Sequence, residues 1–323
     1  EAAHNASFYG NPNEIPQFSP KAKDALPDID RPICESIGSK KLFELLSNAE
    51  YELLNSHKSI HSVPYNGLSE SLYERIYINS EGSNRRVKRS QSSIYLYARA
   101  EEEGKKPRSS GSVRLALGAK DLDIDGCVKE ACRKTINHLD YKAIDTDQYL
   151  VCFMPEAFLE LIGAFSNLFN ARSIIDGVSL SNKDSIGQKI ASSLINLDDD
   201  GLHPQNIGAT PFDGEGTPTK KISLLENGII KNFLHSESTA RSFGVSPTGH
   251  AGMGSKVSVG PDWFVISRNE QIQPSRIKLC HKVTTQNFIL IENLSALHAG
   301  VKASQGSFSL PFDGWVVENG EKI

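Results

Sequence analysis

Cysteine is scarce and scattered. The 323 residues hold five (Cys34, Cys127, Cys132, Cys152 and Cys280), an odd number with no Cys-x-x-Cys pair. That excludes a disulfide scaffold and a Cys-rich zinc module, and a reducing, cytoplasmic setting is expected. Long apolar runs are missing too. The most apolar window, Tyr149 to Phe165, contains Pro155, Glu156 and Glu160, and a membrane span needs about 20 clean apolar residues. An excess of positive charge is likewise missing. Lys plus Arg number 35 against 39 Asp plus Glu, a net charge of −4. A nucleic-acid platform or an anionic-membrane binder needs a basic field, so neither partner is expected. No basic, apolar leader opens the chain at Glu1, and the first residue is not Met, so a processed or truncated chain is expected. Several chemical signatures are absent: GxGxxG after a strand, GxxxxGK[ST], GxSxG and HExxH.

What is present is ordinary globular material, 38% apolar and 23% charged, enough to build a core. At about 150 residues per domain the length predicts roughly two domains. Glu1 to Arg31 reads as an extended surface segment. Ser39 is expected to cap a helix through Leu42, Leu45, Leu46, Ala49, Leu53 and Leu54. From Tyr73 the period changes to two, with Ile76 and Ile78. A Ser-Glu-Gly-Ser-Asn turn follows, and the strand resumes near Arg86 through Ile94, Leu96 and Ala98, which predicts a hairpin. Glu101 to Ser112 reads as a solvated loop. Asp125 opens a helix through Val128, Ala131, Cys132 and Leu139.

Near Asp145 the character shifts. Tyr149 to Met154 predicts a short strand, and Pro155 at the first helical position starts a helix to Phe165. Beyond residue 200 short β runs dominate. Ile222–Leu225 and Ile229–Leu234 flank Asn227-Gly228, which permits positive φ at both turn positions. Phe288–Ile291, Ser307–Leu310 and Trp315–Val317 read as further strands. The outline is α+β: a mixed part over residues 1–145 and a mainly antiparallel β part over 146–323.

Candidate chemical groups are few. His57 and His61 would share one face of a helix, but a metal needs a third ligand, and two solvated histidines are the favoured reading. Cys127 and Cys132 fall on different helix faces and read as packing residues. Asp198, Asp199 and Asp200 before Gly201 resemble a cation loop. The EF-hand spacing, with its Glu twelve positions on, is missing, so an acidic turn is expected. His250 and His298 lie in Gly-flanked turns (TGHAGMG and LHAG), where a surface position is favoured because no acid partner is identifiable.

An ordered pattern in the second half points further. It comprises PFDGEGTPTKKISLLENGIIKNFLHSESTARSFG (Pro211 to Gly244), SPTGHAG (Ser246 to Gly252) and LHAGVKASQGSFSLPFDGWVVENGEKI (Leu297 to Ile323). This resembles the TldD/PmbA family, also called TldD/TldE or "modulator of DNA gyrase". The likeness covers most of residues 145–323 and, more loosely, 40–144. It implies a TldD/PmbA-like α+β fold lacking the family's N-terminal segment and its last β segment.

The resemblance also implies two subunit types. TldD-type subunits are zinc peptidases with an HExxxH helix after a short strand, in which zinc lowers the pKa of a bound water. TldE/PmbA-type subunits share the fold, lack the motif and pair with the catalytic subunit. At the matching place this chain has Pro155, Glu156 and Glu160, so only Glu156 fits the motif. The family's Cys ligand near its C-terminus cannot be placed, because the sequence ends at Ile323; Cys280 precedes the final pattern and is not assigned that role. The implied function is a non-catalytic TldE/PmbA-like subunit, with no metal in this chain and zinc in a TldD-like partner. A homodimer is the other assembly. An unfolded peptide would lie along strand edges, with Phe212, Asp213, Glu215, Gly216, His250 and His298 as binding candidates. Two alternatives stand beside it. One is a self-sufficient peptidase with a metal set drawn from His250, His281 and His298. The other is an interaction protein acting on DNA gyrase or a toxin target.

Overall fold

A long antiparallel ribbon organises the first half. In this computed structural model, which describes residues 2–9, 17–141, 143–270 and 287–322, strand β1 (Ile60–Ile78) pairs with β2 (Asn84–Ala100) along its whole length. The Asn79 carboxamide accepts from the backbone N–H of Glu81 and Ser83 and closes the turn between them. Strand β3 (Arg108–Ala116) completes a three-stranded sheet with β2 in the centre. β1 begins well before Tyr73. Pro64 lacks an N–H and disguises it in the sequence, but β1 is an edge strand with register shifts before Tyr65, where proline is tolerated. The expected loop at Glu101–Ser112 is likewise shorter, because β3 starts at Arg108.

Two helices cover one face of this sheet. α2 (Ser39–Asn55) follows a short α1 (Ala2–Ser7), and α3 (Ile124–Asn137) follows β3. Ser39 is not the cap of α2. Gly38 holds that place at φ 83° with no side-chain bond. α3 is capped by Asp123, which accepts from the Gly126 N–H at 2.9 Å. Leu53, Ile94, Leu96, Ala98, Cys127 and Ala131 form the shared core. The helix spacing of Cys127 and Cys132 therefore serves packing. His57 and His61 do not share a helix face, because His57 lies past the end of α2 and His61 lies in β1.

The second half has smaller sheets. β4 (Val151–Phe153) leads into α4 (Pro155–Ala164), with Pro155 at the first helical position. A short α5 (Ala171–Ile175) comes next. Strands β5 (Ile195–Asp199), β6 (Ile222–Glu226) and β7 (Ile229–Ile230) join in order, with β10 (Phe264–Arg268) on the other side of β5. The β6–β7 turn is built as expected, with Asn227 at φ 54° and Gly228 at φ 75°. Between β7 and β10 in sequence lie α6 (Glu237–Phe243), β8 (Ala251–Met253) and β9 (Val257–Val259). β11 (Phe288–Leu294) pairs antiparallel with the strand Phe312–Glu318 and parallel with β4, the one parallel pairing among the described strands. The expected strand at Ser307–Leu310 is confined to Ser307–Phe308. Phe169, Leu197, Leu224, Ile230, Phe233 and Leu234 form the second core.

The tip of the β1–β2 ribbon reaches into the second half. Arg89 donates to the Gly208 carbonyl at 2.9 Å, and the Arg75 guanidinium donates to the Phe212 carbonyl and lies 4.6 Å from the Phe212 ring. The opening segment is tied down as well. Arg31 donates to the carbonyls of His203, Pro204 and Asn206, so only part of Glu1 to Arg31 is free surface.

Candidate functional site

Beyond the ribbon tip lies a concentration of buried ionisable groups. The loop Pro211 to Thr219 supplies the first of them. Phe212 is fully buried, and Asp213 and Glu215 are 6% and 8% exposed. Asp213 accepts from the N–H of Glu215 and Thr217 through one oxygen and of Ala251 through the other. Burial still pushes its pKa up. Glu215 accepts from the Glu237 N–H at the start of α6, at 2.7 Å. Burial, with the neighbouring Asp213 and Glu237 charges, raises it to about 7. Gly216 takes φ 77° with the Tyr77 ring against its Cα, and a Cβ would sit 2.7 Å from that ring. These residues were expected on an exposed peptide-binding edge. The structure instead makes them an interior wall: the ribbon tip covers Phe212 and Gly216, Asp213 is held by its own loop and Ala251, and Glu215 faces the start of α6.

The acidic run divides by strand alternation. Asp198 faces out and pairs with Lys221 at 2.8 Å. Asp199 shares the inward face of β5 with Leu197 and is fully buried. Asp200 accepts from the Leu202 N–H in the following turn. The expectation of an acidic turn is thus corrected: Asp199 ends a strand inside the protein. Its carboxylate accepts from the N–H of Asp262 and Trp263, on the loop entering β10.

His250 is the second correction. It is 3% exposed and not on the surface. Its Nε2 lies 3.4 Å from an Asp199 oxygen. Asp199, His250 and Asp262 each present a ligand atom, all within 4.8 Å of one another, and they are the only such group of three among the described residues. Asp262 stands at the solvent-facing rim. Partial desolvation of its carboxyl, with the Asp199 and Asp213 charges, raises its pKa to about 6, against the pull of Arg75. His235 lies behind. Burial depresses it to about 4, so it is neutral at pH 7. Sequence reasoning missed Asp262 and assigned Asp199 to a turn. Only the strand period, Leu197 with Asp199, carried a local signal.

The other expected site residues are elsewhere. His298 is exposed on the short helix Leu297–Gly300 and does not join His250. Cys280 and His281 lie outside the described residues. A groove of about 740 Å³ lined by Lys41, Lys120 and Asp125 lies between α2 and α3 and shares no residue with the buried cluster.

Helix α4 follows β4 at the place where the resemblance puts a zinc helix. Pro155 carries no donor atom, and Glu156 and Glu160 are both exposed. No third His, Cys, Asp or Glu among the described residues joins them. A zinc site needs three protein ligands, so these residues do not fit the metal.

The chain's relatives set these features in context. Residues 146–323 match the PmbA/TldA metallopeptidase C-terminal domain, and residues 32–139 match the central domain of the same proteins. The chain belongs to the PmbA/TldD metallopeptidase family. Over 334 residues it is 25% identical to the metalloprotease PmbA of Escherichia coli O157:H7, covering 99% of this chain and 68% of that protein. It is 30% identical over 233 residues to a metalloprotease TldD homolog of Buchnera aphidicola, covering 67% of this chain and 47% of the relative. A Thermotoga maritima structure named for modulation of DNA gyrase superposes with a TM-score of 0.78 at 25% identity, over 93% of this chain and 69% of that one. TldE from Thermococcus kodakarensis shares the PmbA/TldD fold, with a TM-score of 0.72 at 22% identity over 94% of this chain and 69% of that one. No helix among the described residues is long and apolar enough to cross a membrane.

Proposed function

We propose that this chain is a non-catalytic, TldE/PmbA-type subunit of a cytoplasmic zinc metallopeptidase. It would pair with a TldD-like catalytic chain and help enclose an unfolded peptide substrate. The observation that carries the reading is the opening of α4. α4 opens on Pro155, and the resemblance to the family sets Pro155 and Glu160 at the two imidazole positions of the zinc helix. A lost neutral ligand leaves the metal without a third protein donor, and a lone Glu156 at a helix start is also what the helix dipole favours. The four described cysteines are unpaired, which supports a reducing compartment.

The test mixes the purified chain with a TldD-like subunit that has an intact HExxxH helix and with an unfolded peptide. Cleavage is expected to exceed that of the partner alone, and the chain alone is expected to be inert. No gain over the partner, or turnover by the isolated chain, overturns the reading. A pull-down that recovers gyrase and no TldD-like subunit would favour an interaction role. The metal set of His250, His281 and His298 has no support, because His298 is exposed and does not join His250.

A further inference from the structure

Thr248 holds the His250 ring in place through Nδ1. Its hydroxyl accepts from the His235 N–H at 2.7 Å and donates its single proton to the His235 carbonyl at 3.1 Å. His250 Nδ1 lies 3.0 Å from the same oxygen. Where the hydroxyl proton goes to that carbonyl, Nδ1 is the donor, and Nε2 of the neutral ring carries the lone pair. That Nε2 is fully buried and makes no hydrogen bond. It faces the Asp199 carboxylate at 3.4 Å. In that tautomer a lone pair meets a carboxylate, and a buried polar atom without a hydrogen bond is costly. A cation between them removes both problems.

We infer that Asp199, His250 Nε2 and Asp262 form a divalent-cation site, distinct from α4, that takes a transition metal of the zinc or manganese class. One imidazole nitrogen with two carboxylate oxygens suits these ions better than calcium or magnesium, which prefer all-oxygen sets. The supporting shell is already in place. Thr248 orients the His250 ring through Nδ1, and the N–H groups of Asp262 and Trp263 hold the Asp199 carboxylate. Three atoms at about 2.1 Å from one ion lie at most about 4.2 Å apart. Binding therefore draws the set inward from its 4.8 Å limit, and Asp262 at the rim is the member free to move. Thr219, whose buried hydroxyl also lacks a partner, packs beside Asp262 across Gly201, where a Cβ would crowd both. The ion would tie the end of β5 to the loops entering β8 and β10, a structural role separate from peptide hydrolysis.

The experiment measures metal content of protein purified without chelator, then titrates the metal-free protein with Zn²⁺ and with Mn²⁺ by calorimetry. One ion per chain and a raised unfolding temperature are expected. Asp262→Asn, at the rim, is expected to fold normally and to weaken binding by about tenfold or more. His250→Gln is expected to abolish it. The α4 double variant Glu156→Gln/Glu160→Gln is expected to bind as the parent does. No ion in the purified protein and no uptake at 100 µM metal, on the order of a weak adventitious site, overturns the inference. So does uptake that survives Asp262→Asn undiminished. Uptake lost in the α4 variant would instead overturn the proposed non-catalytic role.

Discussion

The two halves of the molecule stabilise themselves in opposite ways. The three-stranded sheet with α2 and α3 has an interior of Leu53, Ile94, Leu96, Ala98 and Ala131, with its charged pairs at the surface. The region around β5, β8 and β10 also has an apolar core, but beside it lie Asp199, Asp213, Glu215, His235 and His250, all under 9% exposed. Ionisable groups are expensive to bury unless each is hydrogen-bonded or paired. The second region holds such groups through hydrogen bonds from backbone N–H groups, whereas the first half rests on area removed from water. The ribbon tip, through Arg75 and Tyr77, joins the two.

The largest effect expected from breaking this contrast is at Asp213. Asp213→Ala strands three buried N–H groups and is expected to cost about 3–5 kcal/mol, at 1–3 each with partial relaxation. Asp213→Asn keeps one acceptor and should cost less. Urea melts of both variants check this, and an Asp213→Ala loss under 1 kcal/mol, or about one ordinary hydrogen bond, would place the residue's weight elsewhere. In the apolar half, Leu53→Ala is expected to cost about 3 kcal/mol through lost burial and an unfilled cavity. The same melts report it, and peptide-cleavage stimulation of the folded fraction should be unchanged.

The two halves also answer pH with opposite signs. Glu215 is raised from the usual 4.5 to about 7 by burial and its acidic neighbours. Between those values the folded state holds a proton that the unfolded state has released, so stability falls as pH rises from 4.5 to 7. The contribution is up to about 3 kcal/mol at 1.36 per unit. Glu215→Gln should flatten that slope and raise stability at pH 8; a variant whose profile matches the parent's would refute the assignment. Glu130, in the first half, runs the other way. Partial burial alone would raise it, but hydrogen bonds from Lys134, Arg114 and Ser112 hold it at about 2. Its stabilisation is full above 4.5 and is lost as pH falls toward 2. Discounted for a partly exposed network, it is about 1 kcal/mol. Comparing Glu130→Gln with the parent at pH 3 and pH 7 measures it.

Much of the first half could be read directly. Leu53, Ile94 and Leu96 obey simple periods because each element buries one face against one partner. β1 was cut short because Pro64 and Gly67 break a strand pattern that pairing along an edge tolerates. The ionisable cluster was largely hidden. Asp199, His250 and Asp262 are dozens of residues apart, and each alone resembles a polar loop residue. Alternation along β5 implied that Asp199 shares the face of Leu197, but nothing local said that this face was interior.

The order of residues alone decided the local elements and, through the spaced turns from Pro211 to Gly252 and Leu297 to Ile323, the family. It also decided that α4 opens on Pro155, whose fixed φ suits the first helical position and whose ring offers no metal-binding atom in any fold. What surrounds Asp199 and His250 was decided only in three dimensions. The pairing of Phe264 with Asp199 brings Asp262 alongside, and the ribbon tip closes over Phe212 and Gly216. Burial and charge proximity are properties of packing, and packing sums over contacts that no short stretch of sequence contains.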